Sequence, residues 1–303
     1  MGLDMNRFAK FAIAAAFFAV GAQAAGPPRA TPSNWRDVDP QNLVLLDTKY
    51  GETVIELAPE FAPVNAARFK ALVRAHFYDG KTFYRVIDGF VAQGGIGEGT
   101  ASTKNRGKDT KTSSQWPLLK AEFDRPIGND VTFTPLGSPD LFAPEVGHVD
   151  GFPVGRDAKE KREWIIHCPG TLAFARDDRA DTASTEFYIV IGEAPRRLDR
   201  NLTAFGRVIS GLDDIQKLQR GDPDVAAGVI EAPIKPDAIQ RVRIAADLPP
   251  PERPRYQVMR TDTAAFAARK EAKRNITSAF FVRKPPEILD ICIMPVPARK
   301  AGP

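Results

Sequence analysis

The fold is decided by one stretch of the chain, Phe83-Tyr84-Arg85-Val86-Ile87-Asp88-Gly89-Phe90-Val91-Ala92-Gln93-Gly94-Gly95. Its first half alternates as in a half-buried strand, and Asp88-Gly89 is typical of a turn before the apolar pattern resumes. Arg85 breaks this pattern, because it shares one strand face with Phe83 and Ile87. A guanidinium is not buried without partners, so Arg85 either extends into water or donates hydrogen bonds inside a cleft.

Two further segments complete a pattern in a fixed order. Residues 170–176 read Gly-Thr-Leu-Ala-Phe-Ala-Arg, and residues 186–192 read Glu-Phe-Tyr-Ile-Val-Ile-Gly. Residues 198–208 read Leu-Asp-Arg-Asn-Leu-Thr-Ala-Phe-Gly-Arg-Val and are followed by Gly211-Leu212-Asp213. Together with residues 83–95, these segments resemble the signature of the cyclophilin-type peptidyl-prolyl cis/trans isomerases. Ordered matches of this kind are more specific than any single motif.

The resemblance implies a mostly β fold, namely a closed eight-stranded antiparallel β-barrel, cyclophilin-like, capped by two α-helices. Periodicity alone supports only a mostly β chain with two helices. Local patterns predict a hairpin from residues 43–46 and 53–57, and a helix over residues 63–75 that starts with a proline. A second helix is expected from Leu212, and a last strand over residues 238–244.

The chain is expected to contain four regions. These are a signal peptide (residues 1–24), a flexible segment (25–39), a cyclophilin-like isomerase domain (40–248) and a C-terminal extension (249–303). Within the domain, residues 97–166 form a long insertion in which only Ala121-Glu122-Phe123 resembles a family motif. The extension begins with three prolines, which form a semi-rigid linker, and we interpret it as a tail packed on the barrel. The alternative is a basic tail that contacts a membrane.

The chemistry of such a fold requires no bond to break. Rotation about an X–Pro bond meets a barrier of about 18–20 kcal/mol, because amide resonance gives the C–N bond double-bond character. A donor aimed at the prolyl nitrogen stabilises the lone pair that develops as the bond twists. The resemblance assigns this catalytic role to Arg85. The substrate-binding residues that it implies are Phe90, Val91, Gln93, Ala175, Arg176, Glu186, Tyr188 and Leu198.

Several of these residues also have a purely structural interpretation. Arg85 could be a surface arginine whose stem covers apolar neighbours. Phe90 and Leu198 could be ordinary core residues. Gln93 could have a structural role alone, as a hydrogen-bond partner in the turn before Gly94.

Four positions depart from the family pattern. Arg197 stands where the family has tryptophan or another aromatic residue, and Leu202 stands where it often has histidine. Glu186 replaces the usual glutamine, and Tyr188 replaces a phenylalanine. The added cation and anion at the groove edge are expected to influence peptide preference.

The N-terminus indicates export. Arg7 and Lys10 precede an apolar run over residues 11–20, and Ala22-Gln23-Ala24 fits a small-x-small cleavage site. This order of basic, apolar and small segments predicts a secretory signal peptide and a periplasmic protein. The alternative is an N-terminal anchor helix that is not cleaved.

Charge and composition limit the possible partners. The chain carries 42 basic and 38 acidic side chains. Removal of residues 1–24, which contain Asp4, Arg7 and Lys10, would leave 40 and 37, a net charge of +3. No block of like charge or basic-aromatic interleaving is present, so nucleic-acid binding is not expected. We expect a monomer without stable membrane insertion.

No cofactor or metal is expected either. The three histidines are scattered, without ligand spacing to cysteines or carboxylates. The glycines at residues 94–99 lack the Lys-Ser/Thr that completes a phosphate loop. Cys168 and Cys292 lie far apart in sequence, and only geometry decides whether they pair.

Two functions fit the sequence. The first is a periplasmic peptidyl-prolyl isomerase that acts on proline-containing peptides and unfolded exported proteins. The alternative is a weakly active module or chaperone that binds proline-containing segments in the periplasm. Arg85 favours the enzyme, whereas Arg197 and Glu186 favour the binding module.

Overall fold

A computed structural model describes residues 33–97, 115–128 and 132–302. The expected signal peptide and most of the expected flexible segment lie outside these residues, as does part of the insertion. From Asn34 onward the chain forms one compact unit. Within the described residues this unit contains three antiparallel sheets and three α-helices.

The main sheet has eight strands and confirms the mostly β prediction. Its strands are β2 (Leu43–Thr48), β3 (Gly51–Leu57), β4 (Thr82–Val86), β5 (Val91–Gly95), β11 (Thr171–Phe174), β12 (Phe187–Val190), β13 (Ala204–Ser210) and β14 (Arg241–Ile244). Their order across the sheet is β14-β2-β3-β13-β11-β12-β5-β4. The predicted hairpin is β2 and β3, which are paired from Leu43–Glu56 to Thr48–Gly51.

The expectation of a closed barrel is corrected, because the main sheet is open. Its edge strands β14 and β4 share no ladder in the described residues, and an isolated bridge joins Thr82 to Ala238. Three prolines interrupt the segment before β14, at positions 223, 233 and 236. Proline has no backbone N–H, so the segment that contains these prolines cannot form a regular ladder. None of the three lies within residues 238–240, and the last strand begins at Arg241 rather than at the expected position 238.

Helix α1 (Pro63–Arg74) packs its buried residues against apolar side chains of the main sheet. Pro63 stands in its first turn, where its missing N–H costs no hydrogen bond. Phe69 is fully buried, and its ring centroid lies 5.3–6.2 Å from four other aromatic rings, those of Tyr78, Phe174, Phe187 and Phe205. Glu122, from the short motif in the insertion, accepts hydrogen bonds from the backbone N–H groups of Val64 and Asn65. A carboxylate at this end of a helix is favourable.

The insertion forms a sheet of its own, which the sequence did not predict. Its strands are β6 (Arg125–Pro126), β7 (Phe133–Pro135), β8 (Glu145–Val149), β9 (Phe152–Asp157) and β10 (Arg162–Ile165), in the order β6-β10-β9-β8-β7. The turn at Asp150-Gly151 is held against the main sheet by arginines. Arg207, paired with Glu56 at 2.9 Å, also donates to the carbonyl of Gly151.

The C-terminal extension is packed against this body. Strand β15 (Tyr256–Met259) pairs with β1 (Trp35–Asp37) on one side and β16 (Ala298–Lys300) on the other. A disulfide joins Cys168 to Cys292. The extension therefore has a covalent link to the residues just before β11.

The prediction of two helices is also corrected. Besides α1 and the short α2 (Leu212–Ile215), the extension contains α3 (Ala264–Arg274). The side chain of Thr263 accepts a hydrogen bond from the N–H of Phe266 and caps α3. Phe266 is the buried residue of α3, so there was no apolar stripe in the sequence to indicate this helix.

Candidate active site

Arg85, Gln93 and Tyr188 lie in one row across three neighbouring strands. Arg85 on β4 is opposite Gln93 on β5, and Gln93 is opposite Tyr188 on β12. Residues directly opposite each other in a ladder place their side chains on the same face. The row therefore brings together Arg85 and Gln93, which are separated by a turn, and Tyr188, which is far from both in the sequence.

The guanidinium of Arg85 is held in place by two acceptors. Its Nε donates to the carbonyl of Ala227 at 2.8 Å, and its Nη1 donates to Oε1 of Gln93 at 3.3 Å. Partial burial lowers the pKa of Arg85. Its second terminal nitrogen, Nη2, has no hydrogen-bond partner among the described residues. The side chain is thus oriented and retains donors for a further group, unlike an arginine that only snorkels to the surface.

The side chain of Gln93 bonds both Arg85 and Tyr84, the residue before Arg85 on β4. Its carbonyl oxygen accepts from Arg85, and its amide donates to the hydroxyl of Tyr84. Gln93 is itself buried. Its contacts are therefore with Arg85 and Tyr84, rather than with the turn before Gly94.

The four expected pocket residues belong to one apolar cluster. Val91 and Tyr188 are buried in it, and Phe90 and Leu198 are partly exposed at its edge. Ala175 also packs against this cluster. The inserted sheet contributes to the same cluster through Val149, Phe152, Val154 and Ile165. The insertion therefore packs directly against the wall of the expected proline pocket.

A chain of buried polar groups lies behind Tyr188. Its hydroxyl is 2.8 Å from Nε2 of His167, and Nδ1 of His167 is 3.0 Å from Oδ1 of Asp199. Burial, with a smaller contribution from Asp199, raises the pKa of Tyr188 well above its usual value, so the hydroxyl keeps its proton. We assign the histidine proton to Nδ1, because Nε2 can then accept from the tyrosine.

The same chain of groups continues into the insertion. Nε of Arg196 donates to Oδ2 of Asp199 at 2.7 Å, and both terminal nitrogens of Arg196 bond Asp140 at 2.8 and 2.9 Å. Asp140 also accepts from the backbone N–H groups of Phe142 and Ala143. The loop that carries Leu198 is in this way clamped to the insertion by charge-assisted bonds.

Sequence reasoning missed this chain of groups. His167 was considered only as a metal ligand, and Asp199 only as part of a motif. Spacing in the sequence gives no signal that His167 contacts Tyr188. In the described residues, no cluster of His, Cys, Asp and Glu could hold a metal ion.

Comparison with known proteins identifies the family. The model of the cyclophilin-type peptidyl-prolyl cis-trans isomerase family matches residues 43–244. The chain belongs to this family. It is therefore an enzyme, a peptidyl-prolyl cis-trans isomerase, as its relatives are named.

Several of the similar proteins come from bacteria. A probable peptidyl-prolyl cis-trans isomerase of Brucella suis is 29% identical over 213 residues, which cover 69% of this chain and 85% of that protein. Peptidyl-prolyl cis-trans isomerase B of Bacillus subtilis is 31% identical over 167 residues, covering 55% and 82%. The crystal structure of the cyclophilin AquaCyp293 from Hirschia baltica is 30% identical with a TM-score of 0.68, covering 88% of this chain and 93% of that one.

In this cyclophilin, Glu186 does not join the pocket cluster. Its Oε1 accepts from the backbone N–H of Ile96 at 2.9 Å and from the hydroxyl of Thr185 at 3.2 Å. The carboxylate lies against Gly95, where any Cβ would overlap it. Burial raises the pKa of Glu186, although the hydrogen bond from Ile96 opposes this shift.

Three further positions from the sequence analysis are the expected substrate-binding residue Arg176 and the departures Arg197 and Leu202. Arg176 donates to the carbonyls of Asn201 and Asp177, so its side chain supports a loop. Arg197 is exposed, next to Leu198 in the pocket cluster. Leu202 packs against that cluster as an apolar side chain.

Proposed function

We propose that the face containing Arg85, Gln93 and Tyr188 catalyses X–Pro isomerisation, with Arg85 as the hydrogen-bond donor to the prolyl nitrogen. The observation that carries this proposal is the guanidinium, which is fixed by Ala227 and Gln93 and whose Nη2 has no hydrogen-bond partner within the part of the chain that the structure describes. A preorganised donor stabilises charge that develops only in the transition state, so it accelerates rotation rather than merely binding the peptide.

The apolar cluster beside this donor is suited to a proline ring. Phe90 and Leu198 offer partly exposed apolar surface at its edge, and Val91 and Tyr188 form its floor. Gln93 and the backbone around Ala175 and Arg176 would hold the peptide in an extended course. This arrangement needs no nucleophile.

A protease-coupled assay on a short X–Pro peptide tests the proposal directly. We expect turnover far above the uncatalysed rate. The alternative is a weakly active binding module or chaperone that binds proline-containing segments. Saturable peptide binding without acceleration would support that alternative and contradict the enzymatic proposal.

We further propose that the enzyme is periplasmic and acts on unfolded exported proteins. The support is the order of basic, apolar and small residues at positions 7–24. N-terminal sequencing of the secreted protein should give Ala25. Recovery of an intact Met1 or Met5 from washed membranes would instead indicate an uncleaved anchor.

A further inference from the structure

The extension exposes a continuous apolar segment. Residues 275–284 are all exposed, and they include Phe280, Phe281 and Val282 in succession. The exposed fractions of these three side chains are 83%, 40% and 100%, and that of Ile276 is 40%. Single exposed apolar residues are common, but a run of this kind marks an interaction site. We call residues 276–282 the apolar loop.

The apolar loop is presented on a fixed base. Helix α3, which precedes it, is anchored by the buried side chain of Phe266 and capped by Thr263. Near the end of α3, Arg274 donates to the carbonyl of Leu136, and Lys270 donates to that of Pro135. The helix is thereby attached to the insertion, and the loop projects from a structured support.

Basic residues flank the apolar loop in the sequence. Residues 264–284 contain six lysines and arginines and one glutamate. Two of these cations form ion pairs, Arg274 with Glu271 and Lys284 with Glu287. Arg269, Lys273 and Arg283 have no ion pair among the described residues. The surface is therefore both apolar and cationic.

We propose that the apolar loop and the surrounding basic residues dock this protein on an anionic lipid surface. Aromatic and aliphatic side chains enter the headgroup region, while lysine and arginine attract anionic lipids. Neither contribution is strong alone, and their combination in one short segment is what distinguishes this surface. In the described residues no helix is long and apolar enough to span a bilayer.

This proposal does not depend on isomerase activity, and vesicle sedimentation tests it. The full chain is mixed with vesicles of phosphatidylglycerol or of phosphatidylcholine, and the bound fraction is measured. We expect preferential binding to phosphatidylglycerol. The triple variant Phe280→Ser/Phe281→Ser/Val282→Ser and the charge variant Arg283→Glu/Lys284→Glu should each lower this partition by about tenfold.

The N-terminal segment is the same in all variants, so a difference between them comes from the substituted residues. The control is Leu141→Ser, which removes an equally exposed apolar side chain (97%) outside the apolar loop, and it should bind as the unchanged chain does. Equal binding by the triple variant and the unchanged chain would overturn the proposal. So would a triple variant that alters only self-association in analytical ultracentrifugation, because the loop would then be a contact between copies.

A local readout separates insertion of the loop from binding elsewhere. Emission of the Val282→Trp variant, measured as the difference from the unchanged chain with its three tryptophans, should shift to the blue when phosphatidylglycerol vesicles are added, since Val282 is fully exposed. The difference emission of the Leu141→Trp variant should not shift. A shift at Leu141 without one at Val282 would contradict docking through the apolar loop.

Discussion

Nε2 of His167 lies 2.8 Å from the hydroxyl oxygen of Tyr188, and this contact joins the end of the insertion to the wall of the proposed proline pocket. The two rings are nearly parallel, at 18°, with centroids 6.1 Å apart. His167 is fully buried and is held in turn by Asp199. The orientation of the Tyr188 ring is therefore set from behind the pocket, by residues that do not touch the substrate.

Tyr188→Phe should lower stability more than activity. The substitution restores the phenylalanine of the family but leaves Nε2 of His167 buried without a partner, which costs about 1–3 kcal/mol in the free energy of unfolding. Urea unfolding measures this loss, and kcat/KM for a short X–Pro peptide should stay near its original value.

A double-mutant cycle with His167→Phe provides the control. Since both single changes break the same hydrogen bond, the double variant should lose less stability than the sum of the two. Strict additivity would show that the contact contributes nothing.

Glu186→Gln should make stability less dependent on pH. Burial raises the pKa of Glu186, so the folded state favours the protonated carboxyl. The stability that Glu186 contributes is fully present below its ordinary pKa and is lost as pH rises through the higher pKa of the folded state. The free energy of unfolding of the glutamine variant, minus that of the unchanged protein, should therefore be higher at pH 8 than at pH 4.

The matched control is Glu193→Gln, which removes an exposed carboxylate nearby. Unfolding curves for both variants at the two pH values make the comparison. A relative gain in the Glu193 variant, or none in the Glu186 variant, would contradict the assignment to the buried carboxyl.

His148 should make the protein sensitive to acid. This histidine lies on β8 with its ring 5.2 Å from that of Phe266, and burial lowers its pKa to about 3. Its contribution to stability is present above the ordinary pKa of about 6.5 and is lost as pH falls toward 3, with a slope approaching 1.4 kcal/mol per pH unit.

His148→Leu should flatten that slope between pH 6 and pH 4, as measured by chemical unfolding. The exposed His76, which pairs with Asp79 at the surface, supplies the control variant His76→Asn. An unchanged slope in the leucine variant would assign the acid sensitivity to other groups.

The disulfide between Cys168 and Cys292 should stabilise the fold without taking part in catalysis. It closes a loop with a sequence separation of 124 residues, and loss of a native disulfide typically costs about 2–5 kcal/mol. Cys168→Ser/Cys292→Ser should therefore unfold at lower urea concentration. Because neither sulfur lies in the pocket cluster, kcat/KM for a short peptide should persist in the folded variant.

Much of the fold and part of the site could be predicted from local patterns. The β2–β3 hairpin and helix α1 follow from strand alternation, turn residues and the proline at position 63. The resemblance singled out Arg85 and Gln93, and the structure brings them into contact. Such features depend on residues that are close in the sequence, so the sequence alone is enough to indicate them.

The remainder depends on contacts between distant segments. His167 and Asp199 are separated by 32 residues, and nothing in their spacing indicates a hydrogen bond. Four of the five strands of the inserted sheet contain proline or glycine, residues that interrupt the sequence signal of a strand. Glu186 was expected at the groove edge. Because Gly95 has no side chain, the Glu186 carboxylate can lie against the backbone at the end of β5.

The central claim is that Arg85 supplies the transition-state hydrogen bond, and the turnover of Arg85→Ala tests it most directly. NMR exchange on a short X–Pro peptide measures isomerisation without a coupled protease. The variant should lose about a hundredfold in kcat/KM while its unfolding free energy changes little, as for removal of one preorganised donor. Arg269→Ala, which removes an exposed arginine of α3, should retain full turnover. A folded Arg85→Ala protein with near-normal kcat/KM would contradict the mechanism.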